Sequence, residues 1–107
     1  MALMREPRMP PAPLMTWDVR QLVTEFETPT GVPWSEQIGD LWRDRSSRKR
    51  VGALVNDIAH RGHLVIPVHA RWEDGGRVWR ITDGVHRIAA AWALMQFVPV
   101  KFIEGES

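Results

Sequence analysis

Apolar positions recur along this chain with a helical period in some stretches and a strand period in others. Val19, Leu22, Val23 and Phe26 fall at i, i+3, i+4 and i+7, one stripe of an amphipathic helix. The spacing predicts a first helix over 16–27, with Thr16 as its cap and Asp18 in its first turn. The cluster Thr28-Pro29-Thr30-Gly31-Val32-Pro33 breaks it. Ile38, Leu41 and Trp42 share a face of a second helix over 34–44, for which Ser35 is the candidate cap. Val51, Leu54, Val55 and Ile58 repeat the stripe in a third helix, 47–61, stopped by Gly62.

The period then shortens. Leu64 to Trp72 and Arg77 to Thr82 are β-rich runs around Asp74-Gly75-Gly76, which predicts a hairpin. In the first run Val68, Ala70 and Trp72 alternate with His69 and Arg71, an apolar face against a polar one. Pro67 suits a strand start. From Gly84 to Met95 nearly every position is apolar. A helix apolar all round is a buried one, so this is the expected central helix. Val98 to Ile103 closes the pattern as a last strand. Before all of this, residues 1–15 hold Pro7, Pro10, Pro11 and Pro13 and no period. They read as an extended or disordered leader, or as an arm that docks on a partner protein. Residues 16–107 are then one α+β domain, a small mixed β-sheet with flanking helices.

The junction of the last hairpin strand and the central helix concentrates the chemistry. Asp83-Gly84-Val85-His86-Arg87 makes a strand–turn–helix corner. Backbone N–H groups exposed at a helix N-terminus favour anions. Asp83 is a candidate side-chain cap, and Gly84 permits close backbone approach. Arg87 in the first turn opposes the helix dipole unless it meets an anion, and guanidinium grips phosphate with two parallel bonds. The alternative is that Arg87 simply pairs with Asp83 or Glu73 while His86 stays exposed.

Charge adds a second candidate. The net charge is only +1, so any polyanion contact must come from a local patch. Arg43, Arg45, Arg48, Lys49 and Arg50 lie within eight residues. Arg48, Lys49 and Arg50 in a first helical turn would cost about 0.3–1 kcal/mol each when exposed, a cost that a bound phosphate would remove. Arg45, Arg48, Lys49 and Arg50 are therefore candidate phosphate or DNA contacts, with a solvated helix start as the plainer reading.

Composition narrows the field. There is no cysteine, which removes disulfides, thiolate zinc sites and cysteine nucleophiles and is compatible with a reducing cytoplasm. No apolar run reaches the ~20 residues of a membrane span, and no signal-peptide pattern is present, so no membrane is expected. His60 and His63 stand at i, i+3 without further ligands in view, so no metal site is expected. His60 suits a helix C-terminus, while His63 and His69 are candidates for the rim of a pocket. Six tryptophans in 107 residues suit core filling, with a stacking surface for a base or partner as the sharper possibility.

Taken together, residues 47–104 resemble the ParB/sulfiredoxin superfamily. The resemblance is carried by Ala59-His60-Arg61-Gly62-His63-Leu64-Val65-Ile66-Pro67-Val68, then Asp74-Gly75-Gly76, then Ile81-Thr82-Asp83-Gly84-Val85-His86-Arg87-Ile88-Ala89-Ala90-Ala91, then Val98-Pro99-Val100. It implies the ParB/sulfiredoxin-like fold. It also implies that Gly84, Val85, His86 and Arg87, preceded by Asp83, bind nucleotide phosphates, with CTP or ATP/ADP and Mg²⁺ as the expected ligands. Two departures matter. Sulfiredoxins place a catalytic cysteine between the Gly and the His, where this chain has Val85, so sulfinic-acid reduction is excluded. Partition proteins usually show Glu-Arg-Arg after the Gly, and here only Arg87 matches. Their downstream helix-turn-helix and dimerisation segments are not among these 107 residues.

Three functions follow as expectations. The first is a nucleotide- or phosphate-binding module, with nucleotide hydrolysis or kinase-like phosphotransfer as the enzymatic form, in phage- or plasmid-type DNA-linked processes. The second is a protein that grips the DNA backbone through the basic run. The third is a non-enzymatic interaction protein that captures a host or partner protein through residues 1–15.

Overall fold

A computed structural model of the chain describes residues 14–75 and 77–103. In order these form β1 (Leu14–Asp18), α1 (Val19–Glu25), β2 (Phe26–Glu27), α2 (Trp34–Arg43), α3 (Arg45–Arg61), β3 (Val68–Glu73), β4 (Val78–Asp83), α4 (Val85–Leu94) and β5 (Phe97–Ile103). The five strands make one mixed sheet in the order β1-β5-β3-β4-β2. β3 pairs antiparallel with β4 as the expected hairpin and parallel with β5 on its other side. β1 closes one edge antiparallel to β5, and the short β2 closes the other parallel to β4.

Three boundaries differ from the sequence pattern for local reasons. The first helix begins at Val19, not Thr16, because Leu14 to Asp18 are extended and pair with Phe97 to Lys101. Asp18 is therefore the cap: its Oδ1 accepts from the Arg20 N–H at 2.8 Å. Leu14 and Met15 thus belong to the sheet, and the rest of the expected leader lies outside the described residues. At the other end of α1, Phe26 is extended and joins the sheet opposite Trp79, and its carbonyl accepts from the Trp34 indole N–H at 2.8 Å. α2 starts after Pro33 without a side-chain cap, so Ser35 is not its cap. α3 starts at Arg45, with the Asp44 carboxylate accepting from the Ser47 N–H at 2.8 Å. The hairpin's first strand starts only at Val68, leaving Leu64 to Pro67 as a loop.

One face of the sheet carries Val68, Ala70, Ile81, Val98 and Val100, all fully buried. α4 lies over this face, touching β3, β5 and each of the other helices. Its Ile88, Ala89, Ala90 and Ala91 are fully buried. The small alanines let the helix approach its neighbours closely. The helix is not buried all round, however: Ala93 and Met95 reach the surface. An edge-on chain of rings, Trp17, Phe26, Phe102, Trp79 and Trp72, extends the core with centroid separations of 5.0, 6.1, 4.8 and 5.4 Å. Aromatic pairs prefer such tilted and T-shaped contacts, so these tryptophans pack in the manner of core residues.

Candidate phosphate-binding cleft

The corner between β4 and α4 is held by steric necessity. Gly84 has φ +113°, a region that side chains rarely adopt. A Cβ there would lie 2.6 Å from Val68 Cγ1 and 3.1 Å from Val68 Cα. The close approach of the corner to β3 thus demands glycine. Its carbonyl accepts the first helical bond, from the Ile88 N–H at 2.9 Å. The N–H groups of Val85, His86 and Arg87 precede that bond, and among the described residues no side chain caps them. Asp83 is not the cap expected from the sequence. It ends β4, and its Oδ2 accepts from Arg87 Nη2 at 3.3 Å.

This helix start opens into a cleft of about 510 Å³. Thr82 through Arg87 form one wall, Arg50, Ala53 and Leu54 of α3 another, and Pro29 of the β2–α2 loop a third. The loop is fixed by Thr28, whose buried hydroxyl donates to the Val32 carbonyl at 2.7 Å and accepts from the Gly31 N–H at 3.0 Å. Arg80 ties the same loop to the sheet, donating to the Thr28 carbonyl through Nη1 and to Glu73 through Nε and Nη2.

Two guanidinium groups and one carboxylate, Asp83, line the cleft, so its charge is net positive. Arg87 is largely buried, with 20% of its side chain exposed. Nη2 donates to the Pro67 carbonyl and to Asp83, both at 3.3 Å. Its Nε is buried without a partner among the described residues. Leaving a buried donor unpaired costs about 1–3 kcal/mol, and more on a charged group. His86 stands between the helices with Nε2 3.1 Å from Ser47 Oγ. Burial pushes its pKa below the ordinary histidine value, the charges of Arg50 and Arg87 push the same way, and Asp44 opposes them. Burial and these two neighbours thus disfavour the charged imidazole.

Of the four basic candidates on α3, only Arg50 lines the cleft. Helical geometry gives the reason. All four are exposed, but Arg50 is three residues from both Ser47 and Ala53 and four from Leu54, so they share a face, whereas Arg45, Arg48 and Lys49 project from other faces. Arg48 donates to the Trp42 carbonyl at 3.2 Å. Because α3 begins at Arg45, Arg50 lies in its second turn, past the strongest part of the dipole. His63 is exposed beyond α3. His69 lies on β3, with its carbonyl accepting from Thr82 Oγ1 at 3.4 Å, and neither imidazole is among the groups lining the cleft. Ala53, Leu54 and Pro29 of the lining, and Ser47 beside it against His86, escaped the sequence reading of the site. The i, i+3 relation to Arg50 would have found Ala53 and Ser47. No tryptophan lines the cleft. Among the described residues no three His, Asp or Glu side chains gather as a metal site.

No family model matches the chain, and no curated protein matches it in sequence. Among solved structures, the crystal structure of sulfiredoxin from Arabidopsis thaliana matches with a TM-score of 0.56 and 21% identity over 86% of this chain and 85% of that one. At that identity the likeness is one of fold. The chain has the ParB/sulfiredoxin-like fold that its motifs imply.

Proposed function

We propose that the cleft binds the phosphate groups of a nucleotide. The observation that carries this reading is Arg87: a guanidinium held in place by Pro67 and Asp83, with a buried Nε that has no acceptor among the described residues. A phosphate oxygen that reached Nε would supply that acceptor, and guanidinium binds phosphate bidentately. The uncapped N–H groups after Gly84 would take further oxygens. Arg50, on the opposite wall, would neutralise a second phosphate. The cleft volume of about 510 Å³ falls within the range of small-molecule pockets, roughly 300–1,000 Å³.

Mg²⁺ fits this reading in one way. Among the described residues Asp83 is the single carboxylate on the lining, and it is mostly exposed. One carboxylate suits an ion that arrives on a triphosphate and keeps most of its water. CTP, ATP and ADP are the candidates to test. Isothermal titration with each, with and without Mg²⁺, gives binding to at least one. Arg87→Ala weakens that binding about tenfold to a hundredfold, the loss of roughly 1.5–3 kcal/mol for hydrogen bonds to a charged group. Absence of heat with every nucleotide rejects the proposal.

A further inference from the structure

Beside the phosphate clamp stands a pair that phosphate binding does not need. Ser47 Oγ and His86 Nε2 are 3.1 Å apart, bridging α3 and α4. Ser47 is half-buried, whereas Arg45, Ser46 and Arg48 around it are exposed. Its backbone is pinned, since its N–H donates to the Asp44 carboxylate at 2.8 Å. His86 sits on the cleft wall, next to Arg87 and facing Arg50. A hydroxyl within hydrogen-bond reach of an imidazole is the arrangement of an activated nucleophile. A neutral imidazole in the tautomer that carries its proton on Nδ1 would accept from the hydroxyl at Nε2, the role a general base needs.

We infer that Ser47 is a phosphoryl acceptor: a nucleoside triphosphate in the cleft transfers its γ-phosphoryl group to Ser47 Oγ, with His86 as the general base. This rests on the nucleotide reading of the cleft. Oγ attacks the γ-phosphorus and forms the new O–P bond. The bond from that phosphorus to the β–γ bridging oxygen breaks, and its electron pair leaves with the nucleoside diphosphate. The hydroxyl proton passes to His86 Nε2 and then to water. Arg50 and Arg87 line the cleft with His86 and would offset the charge on the transferring group, and their charges add to burial in disfavouring the protonated imidazole. Asp44, at the start of α3, is the opposing carboxylate. Asp83 also lines the cleft, with its Oδ2 accepting from Arg87 Nη2 at 3.3 Å.

The test is intact-mass analysis of the full chain after incubation with ATP or CTP and Mg²⁺, with fragmentation to locate any adduct. One phosphoryl group appears on Ser47. Ser47→Ala carries none, Ser47→Thr carries one on the threonine, and Ser46→Ala behaves as wild type. His86→Gln slows the reaction about a hundredfold or more, the usual scale of general-base catalysis. In the wild type the rate falls as pH drops through the His86 pKa, which lies below the ordinary 6.5, because the protonated imidazole takes no proton. A nucleotide that binds without marking Ser47, an adduct on another residue, or a rate indifferent to pH across the histidine range overturns the inference and leaves the cleft reading standing. No binding of any nucleotide overturns both.

Discussion

Gly84 joins two constraints at one Cα: a positive φ and contact with the backbone of β3. An alanine there meets both. The left-handed backbone costs a non-glycine residue about 1–2 kcal/mol, and forcing atoms into filled space typically adds about 1–3 kcal/mol. Gly84→Ala therefore lowers stability by about 2–5 kcal/mol in urea unfolding. Val68→Ala in the same chain removes the nearest atom, Cγ1 at 2.6 Å, but leaves Val68 Cβ at 2.7 Å and the dihedral, so it relieves part of the strain. The double variant is thus less destabilised than the sum of the singles, a coupling that a double-mutant cycle reads directly. Additive losses would show that the two residues do not press on each other. Arg87 is the second residue that decides the site. Its contacts to Pro67 and Asp83 hold the guanidinium in one place, and a side chain already ordered gives up little rotamer freedom when a ligand arrives.

Among the elements, α4 does the most. It presents the uncapped N–H groups at one end and fills the space over β3 and β5 with alanines. Ala90 is fully buried and Ala93 is exposed, so the same substitution separates the two faces. Ala90→Leu overpacks the interface and costs about 1–3 kcal/mol, whereas Ala93→Leu stays within about 0.5 kcal/mol. Chemical denaturation of the two variants checks this, and equal costs would contradict the packing described. The strong helical stripes were legible in the sequence because each was set by the face it buries. The buried Val51 and Ile58 of α3 and the buried Val19 and Leu22 of α1 all sit on the periodic positions. β1 and β2 were not legible. Each is short, and each is extended only because a distant strand pairs with it, Phe97 to Lys101 for β1 and Trp79 to Arg80 for β2. Local pattern favoured extending the helix into both.

Across the whole molecule, the site exists because three separate segments converge. The β4–α4 corner, one face of α3 and the loop braced by Thr28 and Arg80 meet at one cleft. The corner was visible in the sequence as Asp83-Gly84-Val85-His86-Arg87, the α3 wall only through its charge, and the loop wall at Pro29 not at all. Charge density pointed to all of Arg45, Arg48, Lys49 and Arg50, while helix rotation selects Arg50 alone. Asp83 read either as a cap or as a partner of Arg87, and it is the partner. The Ser47–His86 pair spans 39 residues, a separation no local motif reports.

The central claim is that phosphate is held at the start of α4 by the N–H groups after Gly84 and by Arg87. Amide chemical-shift mapping by NMR tests it most directly, with inorganic pyrophosphate and then CTP or ATP added to the isotope-labelled chain. The largest shifts are expected at Val85, His86 and Arg87, with smaller ones at Arg50 and Ala53 across the cleft. The side-chain Nε–H resonance of Arg87 is expected to move with them. Shifts that leave these amides unmoved, or that cluster instead on Arg45, Arg48 and Lys49 or on the open sheet face around Arg71 and Lys101, would contradict it.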